Sequence, residues 1–462
     1  MQARRQTPVC RASGFAQPED RCPASGPLPA AGRGPCDPNL PTMKNKPIFT
    51  FRDAEKQTAP VAFMTMLKPA GSSCNLDCHY CYYLDKAVQY GGRQAVMSDE
   101  LLERYVRQYI EANEVPVVQF CWHGGEPLLL GIDFYRKALA LQQKYADGKR
   151  IENTLQTNGT LVDERWCELF AANNFLVGLS LDGPQDIHDA FRVTKGGRPT
   201  FERVMQTVAM FRRGGVEYNT LSVVNRLSEG RGAEIYRFFR DEVRSRYMQF
   251  LPAVEHVVDV EGFHRPLIVS PDREGARLAE WSVSARGYGN FLCDLFDEWV
   301  VRDVGQYYVQ MFDATLAQWC GVQPGVCSMG ETCGDALVVE HNGDVYSCDH
   351  FVYPQYLLGN IREQTLAEIY RSPQRREFGL AKRNTLPREC LRCKYYFACR
   401  GECPKHRFER GSDGYPKNSL CEGLLRYFRH VEPYMEQMRD LLSRQQSPAW
   451  VMPFARKRMG LM

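Results

Sequence analysis

Between residue 62 and about residue 252, short apolar runs alternate with longer stretches whose apolar positions recur every three or four residues. The short runs, at 62–68, 116–122, 151–157, 175–181, 219–225 and 247–252, read as buried strands. The amphipathic stretches, at 98–113, 131–146, 162–173, 200–213 and 230–244, read as helices with one apolar face. Strictly alternating strands and helices predict an α/β fold with a parallel sheet and right-handed crossovers. Six such units, where a closed barrel has eight, predict a barrel open on one side. Functional groups in that architecture collect at the carboxyl ends of the strands.

Outside this region the pattern changes. Residues 1–57 are rich in Pro, Gly, Ala and Arg without periodicity, which predicts a disordered tail; Met43 offers an alternative start. The barrel core is expected over 58–255 and a connecting segment over 256–317, with an amphipathic helix at 284–304 that carries Cys293 in its core face. Residues 318–425 hold nine cysteines and many glycines with little apolar period. A segment of that kind builds little core and is expected to depend on bound metal. Helical periodicity returns at 420–444, so 426–462 is expected to be a C-terminal helix and tail.

Composition narrows the functional classes. The 462 residues are 44% hydrophobic, enough for a sizeable core, and the net charge of +3 implies no general attraction to nucleic acid. No apolar run approaches the length of a membrane span. The first 45 residues lack the apolar segment of a signal peptide. Eighteen cysteines in such a chain, several at CxxC-like spacing, then indicate metal in a reducing compartment rather than disulfides, and a cytoplasmic location is expected.

The first strand breaks at Pro69-Ala-Gly-Ser-Ser73 into a loop that carries Cys74-Asn-Leu-Asp-Cys78-His-Tyr-Cys81. A four-iron cluster is normally held by four thiolates. Three leave one iron free for another ligand, which is what S-adenosylmethionine (SAM) requires if it is to chelate the cluster. A zinc site completed by His79 is the alternative. The second strand runs into Cys121-Trp-His-Gly-Gly-Glu126-Pro127, where Gly124 and Gly125 allow a close backbone approach and Glu126 offers a carboxylate to a ligand ammonium. Gln156-Thr-Asn-Gly159 ends the third strand and Ser180-Leu-Asp182-Gly183 the fourth; either is an Asx turn or a set of hydrogen-bonding groups for a ribose.

The carboxyl-terminal cysteines form a second pattern. Cys327 and Cys333 precede Cys348, and Cys390, Cys393, Cys399, Cys403 and Cys421 follow. Val338-Val339 and Val345-Tyr346 flank Asn342-Gly343, which reads as a hairpin with a tight Asn-Gly turn. Eight thiolates are what two four-iron clusters need. Two zinc ribbons are the rival, and a SAM loop in the same chain favours iron because radical chemistry needs an electron path.

Taken together, the Cys74–Cys81 spacing, Met66-Leu-Lys-Pro, His123-Gly-Gly-Glu-Pro, Gln156-Thr-Asn-Gly, Ser180-Leu-Asp-Gly-Pro and Cys348-Asp-His resemble the radical SAM peptide-modifying enzymes with a SPASM domain. Within them the resemblance is to the anaerobic sulfatase-maturating enzymes, and it runs from about Met64 to about Cys421. It implies a partial (β/α)6 radical SAM barrel followed by a SPASM domain with two auxiliary iron–sulfur clusters. Cys74, Cys78 and Cys81 would hold the SAM cluster. Cys327, Cys333, Cys348 and Cys403 would hold the first auxiliary cluster, and Cys390, Cys393, Cys399 and Cys421 the second, giving three [4Fe-4S] clusters. Tyr80, Gly125, Ser180, Arg192 and Leu251 fall where the family contacts SAM, with Arg192 suited to its carboxylate and Leu251 to its adenine. Asp349 falls on the family's general base. Cys121, Cys167, Cys293 and Cys320 have no implied role, nor do Cys10, Cys22 and Cys36 in the tail.

The implied activity is anaerobic oxidation of a Cys or Ser in an immature, unfolded sulfatase, within a Cys/Ser-x-Pro-x-Arg type motif, to Cα-formylglycine. One electron into the SAM cluster would release a 5′-deoxyadenosyl radical that abstracts hydrogen from the side-chain Cβ. Asp349 would take the S–H or O–H proton, the auxiliary clusters the second electron. An electron donor such as flavodoxin or ferredoxin is implied as a partner. Rival readings are another SPASM-type modifier that forms thioether or carbon–carbon crosslinks, and a metal-stabilised electron carrier without catalysis.

Overall fold

The computed structural model describes residues 61–90, 96–261 and 265–461, so the expected tail at 1–57 lies outside the described residues. Six strands lie side by side in chain order: β1 (Met64–Lys68), β2 (Val117–Trp122), β3 (Arg150–Thr157), β4 (Leu176–Ser180), β5 (Glu217–Val224) and β6 (Tyr247–Pro252). All five neighbouring pairs are parallel. Each expected strand is present within two residues of its expected ends.

The connecting helices form where capping and periodicity agree. Asp99–Ala112 starts on the Ser98 side chain, which accepts from the Leu101 amide, and buries Leu101, Leu102, Tyr105, Val106 and Tyr109. Phe201–Gly214 stops at Gly215, whose φ of +67° forms a left-handed cap. The helix expected at 230–244 divides: Gly232–Arg237 is α-helical, then Phe238–Val243 widens into a π turn that ends on Arg244 at φ +55°. The π turn keeps both Phe238 and Phe239 buried. A further short helix, Gln185–Phe191, follows β4.

One face of the sheet packs on these helices. Val118, Phe120 and Trp122 of β2 and Met248 and Phe250 of β6 point to it and are buried, with Phe250 against Phe239 and Phe291. The alternate positions, among them Cys121, Gln156, Ser180, Asn219 and Leu251, face the other way.

The sheet does not stop at six strands. A short strand, Tyr308–Val309, pairs parallel with β6. At the opposite edge Ala336–Glu340 pairs parallel with β1, in a register that sets Lys68 beside Glu340. Asp344–Tyr346 and Leu357–Asn360 extend that edge as antiparallel strands. The sequence hairpin is thus present, and it continues the barrel sheet. Its turn is wider than expected: the Gly343 amide donates to Glu340 O at 2.9 Å, and only Gly343 takes a positive φ, +94°. That is a type I turn followed by a bulged glycine, in place of the two-residue Asn-Gly turn. The helix Cys421–Ser443 packs back on Ala285–Val300 through facing glycines, Gly289 and Gly423, where an added methyl group on Gly289 would lie 2.6 Å from the Gly423 backbone.

Candidate active site

The loop after β1 is fastened to the loop after β2 by backbone alone. The Gly125 amide donates to Gly71 O and the Glu126 amide to Ser73 O, both at 2.8 Å. A Cβ on Gly125 would lie 2.1 Å from Ser73 O. Gly125 therefore admits the cysteine loop itself, and this close approach is one physical reason for glycine there. The reading of Glu126 as a free carboxylate for a ligand ammonium needs correction. Its side chain is fully buried; Oε1 accepts from the Leu128 amide (3.0 Å) and the Thr157 hydroxyl (2.8 Å), and Oε2 from the Asn158 amide (2.8 Å). Glu126 ties the loops after β2 and β3 together. Burial pushes its carboxyl up to about 7 against the pull of those hydrogen bonds.

Cys74, Cys78 and Cys81 converge on this platform. The Leu76 amide and the Asn158 side chain donate to Cys74 Sγ at 3.4 and 3.7 Å. The three sulfurs are near enough for the charge of one to raise the pKa of another. Burial is the larger cause: it pushes Cys74 up to about 12, Cys81 to about 11, and Cys78 higher still. Three thiols that burial keeps protonated become thiolates only when a positive group sits among them. That donor set fits a cationic iron centre.

Asp182, fully buried beyond the end of β4, organises the groups beside the cysteine loop. Its Oδ1 accepts from Arg192 Nη2 and from the Val223 amide, each at 3.0 Å, and its Oδ2 accepts from the Tyr80 hydroxyl. The Arg192 guanidinium lies 5.5 Å from the Tyr80 ring centroid. Arg192 is thus already ion-paired, yet its Nε is buried without a partner. Ser180 Oγ accepts from Gln156 Nε2 at 3.0 Å, and Asn219 Oδ1 on the same face of the sheet is buried and unpartnered. Leu251, 40% exposed, stands on that face near the end of β6. Tyr80, Gly125, Ser180 and Arg192 come together around the cysteine loop and the ends of β2–β4, and orphaned polar atoms among them are what a ligand would satisfy.

The other eight cysteines separate into two groups. Cys327, Cys333, Cys348 and Cys403 raise one another's pKa. Cys421 raises Cys390 and Cys399, and Cys393 raises Cys421. The partition is the one the resemblance implies. Arg407, buried, senses Cys403 and Cys333 of one group and Cys390 of the other. Lys382, also buried, donates to the carbonyls of Cys327, Ser328 and Gly330 at 2.7, 2.7 and 2.5 Å and so shapes the loop that carries Cys327. Cys167 and Cys293 are buried in the core.

Asp349 joins the two halves. The hairpin built on Ala336–Glu340 leads into Cys348-Asp349-His350, and the side chain of Lys68, the last residue of β1, reaches Asp349 there. There Asp349 Oδ1 pairs with Lys68 Nζ at 2.5 Å and Oδ2 accepts from the Tyr82 hydroxyl. Burial alone would raise the Asp349 carboxyl; the Lys68 ammonium, with His123 and His350, outweighs it and holds the group below the usual carboxylate range. His350 Nδ1 lies 4.0 Å from Cys403 Sγ. Sequence reasoning gave no role to Lys68, Tyr82, Lys382 or Arg407, and read Asp182 as a group for a ribose where it holds Arg192 and Tyr80. The signal for Lys68 was a charged residue at the end of an otherwise apolar strand.

Comparison with known proteins places these features in a family. The sequence profile of the Radical SAM superfamily matches residues 69–239, and that of SPASM, an iron–sulfur cluster-binding domain, matches residues 327–394. The chain is 50% identical over 389 residues to the serine-type anaerobic sulfatase-maturating enzyme of Bacteroides thetaiotaomicron, covering 84% of this chain and 94% of that one. It is 31% identical over 372 residues to the cysteine-type enzyme of Clostridium perfringens, covering 80% and 96%. The solved structure of native anSMEcpe with bound AdoMet and Cp18Cys peptide superimposes with a TM-score of 0.72 at 30% identity, over 82% of this chain and 99% of that one. The crosslinking and electron-carrier readings give way to this kinship: the chain belongs to the anaerobic sulfatase-maturating enzymes of the radical SAM superfamily.

Proposed function

We propose that this enzyme oxidises a serine or cysteine of an immature sulfatase to Cα-formylglycine under anaerobic conditions. The observation that carries the proposal is the placement of Asp349. A carboxylate from the cysteine-rich half stands at the carboxyl end of β1, beside the loop of Cys74, Cys78 and Cys81. The greater identity to a serine-type than to a cysteine-type relative, 50% against 31%, favours serine as the better substrate.

Cys74, Cys78 and Cys81 would hold one [4Fe-4S] cluster and SAM, Cys327, Cys333, Cys348 and Cys403 a second, and Cys390, Cys393, Cys399 and Cys421 a third. When bound, these groups supply the one-electron cleavage of SAM, the hydrogen-abstracting radical and a sink for the substrate's second electron. The protein's own part is to bind, orient and take protons. Arg192, held by Asp182, presents its free Nε to an anionic ligand group, and Ser180 a hydroxyl. Tyr80 and Leu251 offer apolar surface, and Gly125 keeps the cysteine loop against β2. Asp349 takes the O–H or S–H proton of the substrate side chain.

The substrate is read as an extended Cys/Ser-x-Pro-x-Arg segment of an unfolded sulfatase entering the open side of the barrel. A flavodoxin- or ferredoxin-class protein is read as the electron donor, and the cytoplasm as the location. Among the described residues no helix is long and apolar enough to cross a membrane. The test is anaerobic incubation with SAM, reductant and paired peptides that differ only in Ser or Cys. An aldehyde captured by a hydrazide in the serine peptide supports the reading. Loss of hydrogen with an intramolecular crosslink and no aldehyde refutes it.

A further inference from the structure

We infer that Lys68 is the positioning residue for Asp349, an inference that rests on the proposed role of Asp349 as the substrate's proton acceptor. Lys68 is the last residue of β1 and has no solvent exposure. A buried ammonium persists only where an opposing charge and acceptors meet it. Its Nζ lies 2.5 Å from Asp349 Oδ1, 3.2 Å from His123 Nδ1 and 3.8 Å from the centroid of the Tyr83 ring. His123 Nδ1 also accepts from the Gly124 amide at 2.9 Å. Burial and the nearby Lys68 hold His123 down to about 4, so it faces the ammonium as a neutral acceptor. The ammonium is thus fixed from three sides by the loop after β2, the loop after the cysteines and Asp349.

Asp349 needs such a fixture. It begins a single 3-10 turn, Asp349–Phe351, and no strand or long helix sets its side-chain direction. The Lys68 ammonium meets one carboxylate oxygen as an ion pair and the Tyr82 hydroxyl donates to the other, so both oxygens are restrained before any substrate arrives. A buried ion pair contributes little net stability over an apolar pair of the same volume. The arrangement is therefore better explained by orientation than by folding. In the proton transfer the substrate O–H or S–H bond breaks and its proton goes to Asp349. Lys68 keeps its protons and acts through Asp349 only.

The test uses the reconstituted enzyme as Lys68→Met, Asp349→Asn and the double variant. For Lys68→Met, iron content, SAM cleavage and the peptide KM should stay within about twofold of the wild type, while kcat for formylglycine falls about 10²-fold or more. The second readout is thermal melting without substrate. Lys68→Met leaves Asp349 buried and unpaired and should melt below the wild type, and adding Asp349→Asn should restore part of the loss. Formylglycine formation within threefold of the wild type overturns the inference. So does a double variant that melts no higher than Lys68→Met, which would make Lys68 merely structural. A wild-type enzyme that makes no aldehyde refutes the proposed function instead, and the melting cycle still reports on the pair.

Discussion

Gly125 and Ser73 stand so close that a methyl group on the glycine would lie 2.1 Å from the serine carbonyl oxygen. The contact is backbone to backbone, so no side-chain rotation relieves it. Gly125→Ala should therefore push the cysteine loop off β2, at a cost of about 3 kcal/mol, and the variant should lose the iron held by Cys74, Cys78 and Cys81. The control is Gly196→Ala, where the nearest atom to an added Cβ is Thr194 Oγ1 at 4.0 Å. Iron analysis and thermal melting of the two variants check this; equal iron in both would refute it.

That contact also marks how far the sequence carries. The six strands and most helices were legible because packing of the sheet on its helices writes apolar runs and amphipathic spacing directly into the chain. The cysteine sets were proposed from spacing and resemblance. Glu126 was misjudged because its orientation depends on the loop after β3, which turns Thr157 and Asn158 toward it. Lys68 escaped notice because its partners, His123 and Asp349, arrive through β2 and through a strand far along the chain that pairs with β1. Periodicity describes a residue's own element and is silent about which distant element lies beside it.

The cysteine partition predicts how iron is lost. Cys333 and Cys393 belong to separate groups. Cys333→Ala and Cys393→Ala should each remove about a third of the iron, and the double variant about two thirds. Cys167→Ala, in the core beside Gly214, should keep all of it. Chelation of iron from the wild type should lower the melting temperature chiefly through 318–425, where Lys382 binds backbone carbonyls of the Cys327 loop and Arg407 in turn donates to Lys382 O. Iron quantitation with hydrogen exchange on the metal-free chain checks both statements.

Lys86 gives a pH dependence with a definite sign. It is 3% exposed and its Nζ lies 3.1 Å from the centroid of the Tyr353 ring. Burial, aided by Lys405, lowers its pKa to about 7 against the opposing pull of Asp349, Glu255 and Asp85. Between that value and the ordinary lysine value near 10.4, the unfolded chain binds a proton that the folded chain does not. Folding stability contributed by this group therefore rises with pH across that window and is lowest near neutrality. Lys86→Met should flatten the slope and raise stability at pH 7 by about 1–3 kcal/mol. Denaturant melts of both proteins at pH 7 and pH 9 measure it, and a wild-type curve that falls over this range would contradict the assignment.

Asp349 offers the sharpest separation of binding from chemistry. Abstraction of hydrogen from the substrate Cβ requires a bound peptide and the SAM cluster, whereas completion of the oxidation also requires a proton acceptor at the oxygen or sulfur. Asp349→Asn keeps the shape of the side chain and an oxygen to accept from Tyr82, but it removes the base. A positioned base contributes about 10²–10⁴-fold. Asp349→Asn should accordingly hold its full iron content and still cleave SAM, and deuterium from a Cβ-deuterated peptide should still reach 5′-deoxyadenosine. Formylglycine should fall by at least about 10²-fold. The amide removes the anion that pairs with the Lys68 ammonium at 2.5 Å and leaves Glu340 as the remaining carboxylate near it, so the variant should also melt below the wild type. Replacing Lys68 by Met in the same chain should reverse part of that loss. Formylglycine at a near wild-type rate would mean that the proton leaves by another route, and a variant that no longer cleaves SAM would mean that Asp349 shapes the site and takes no proton.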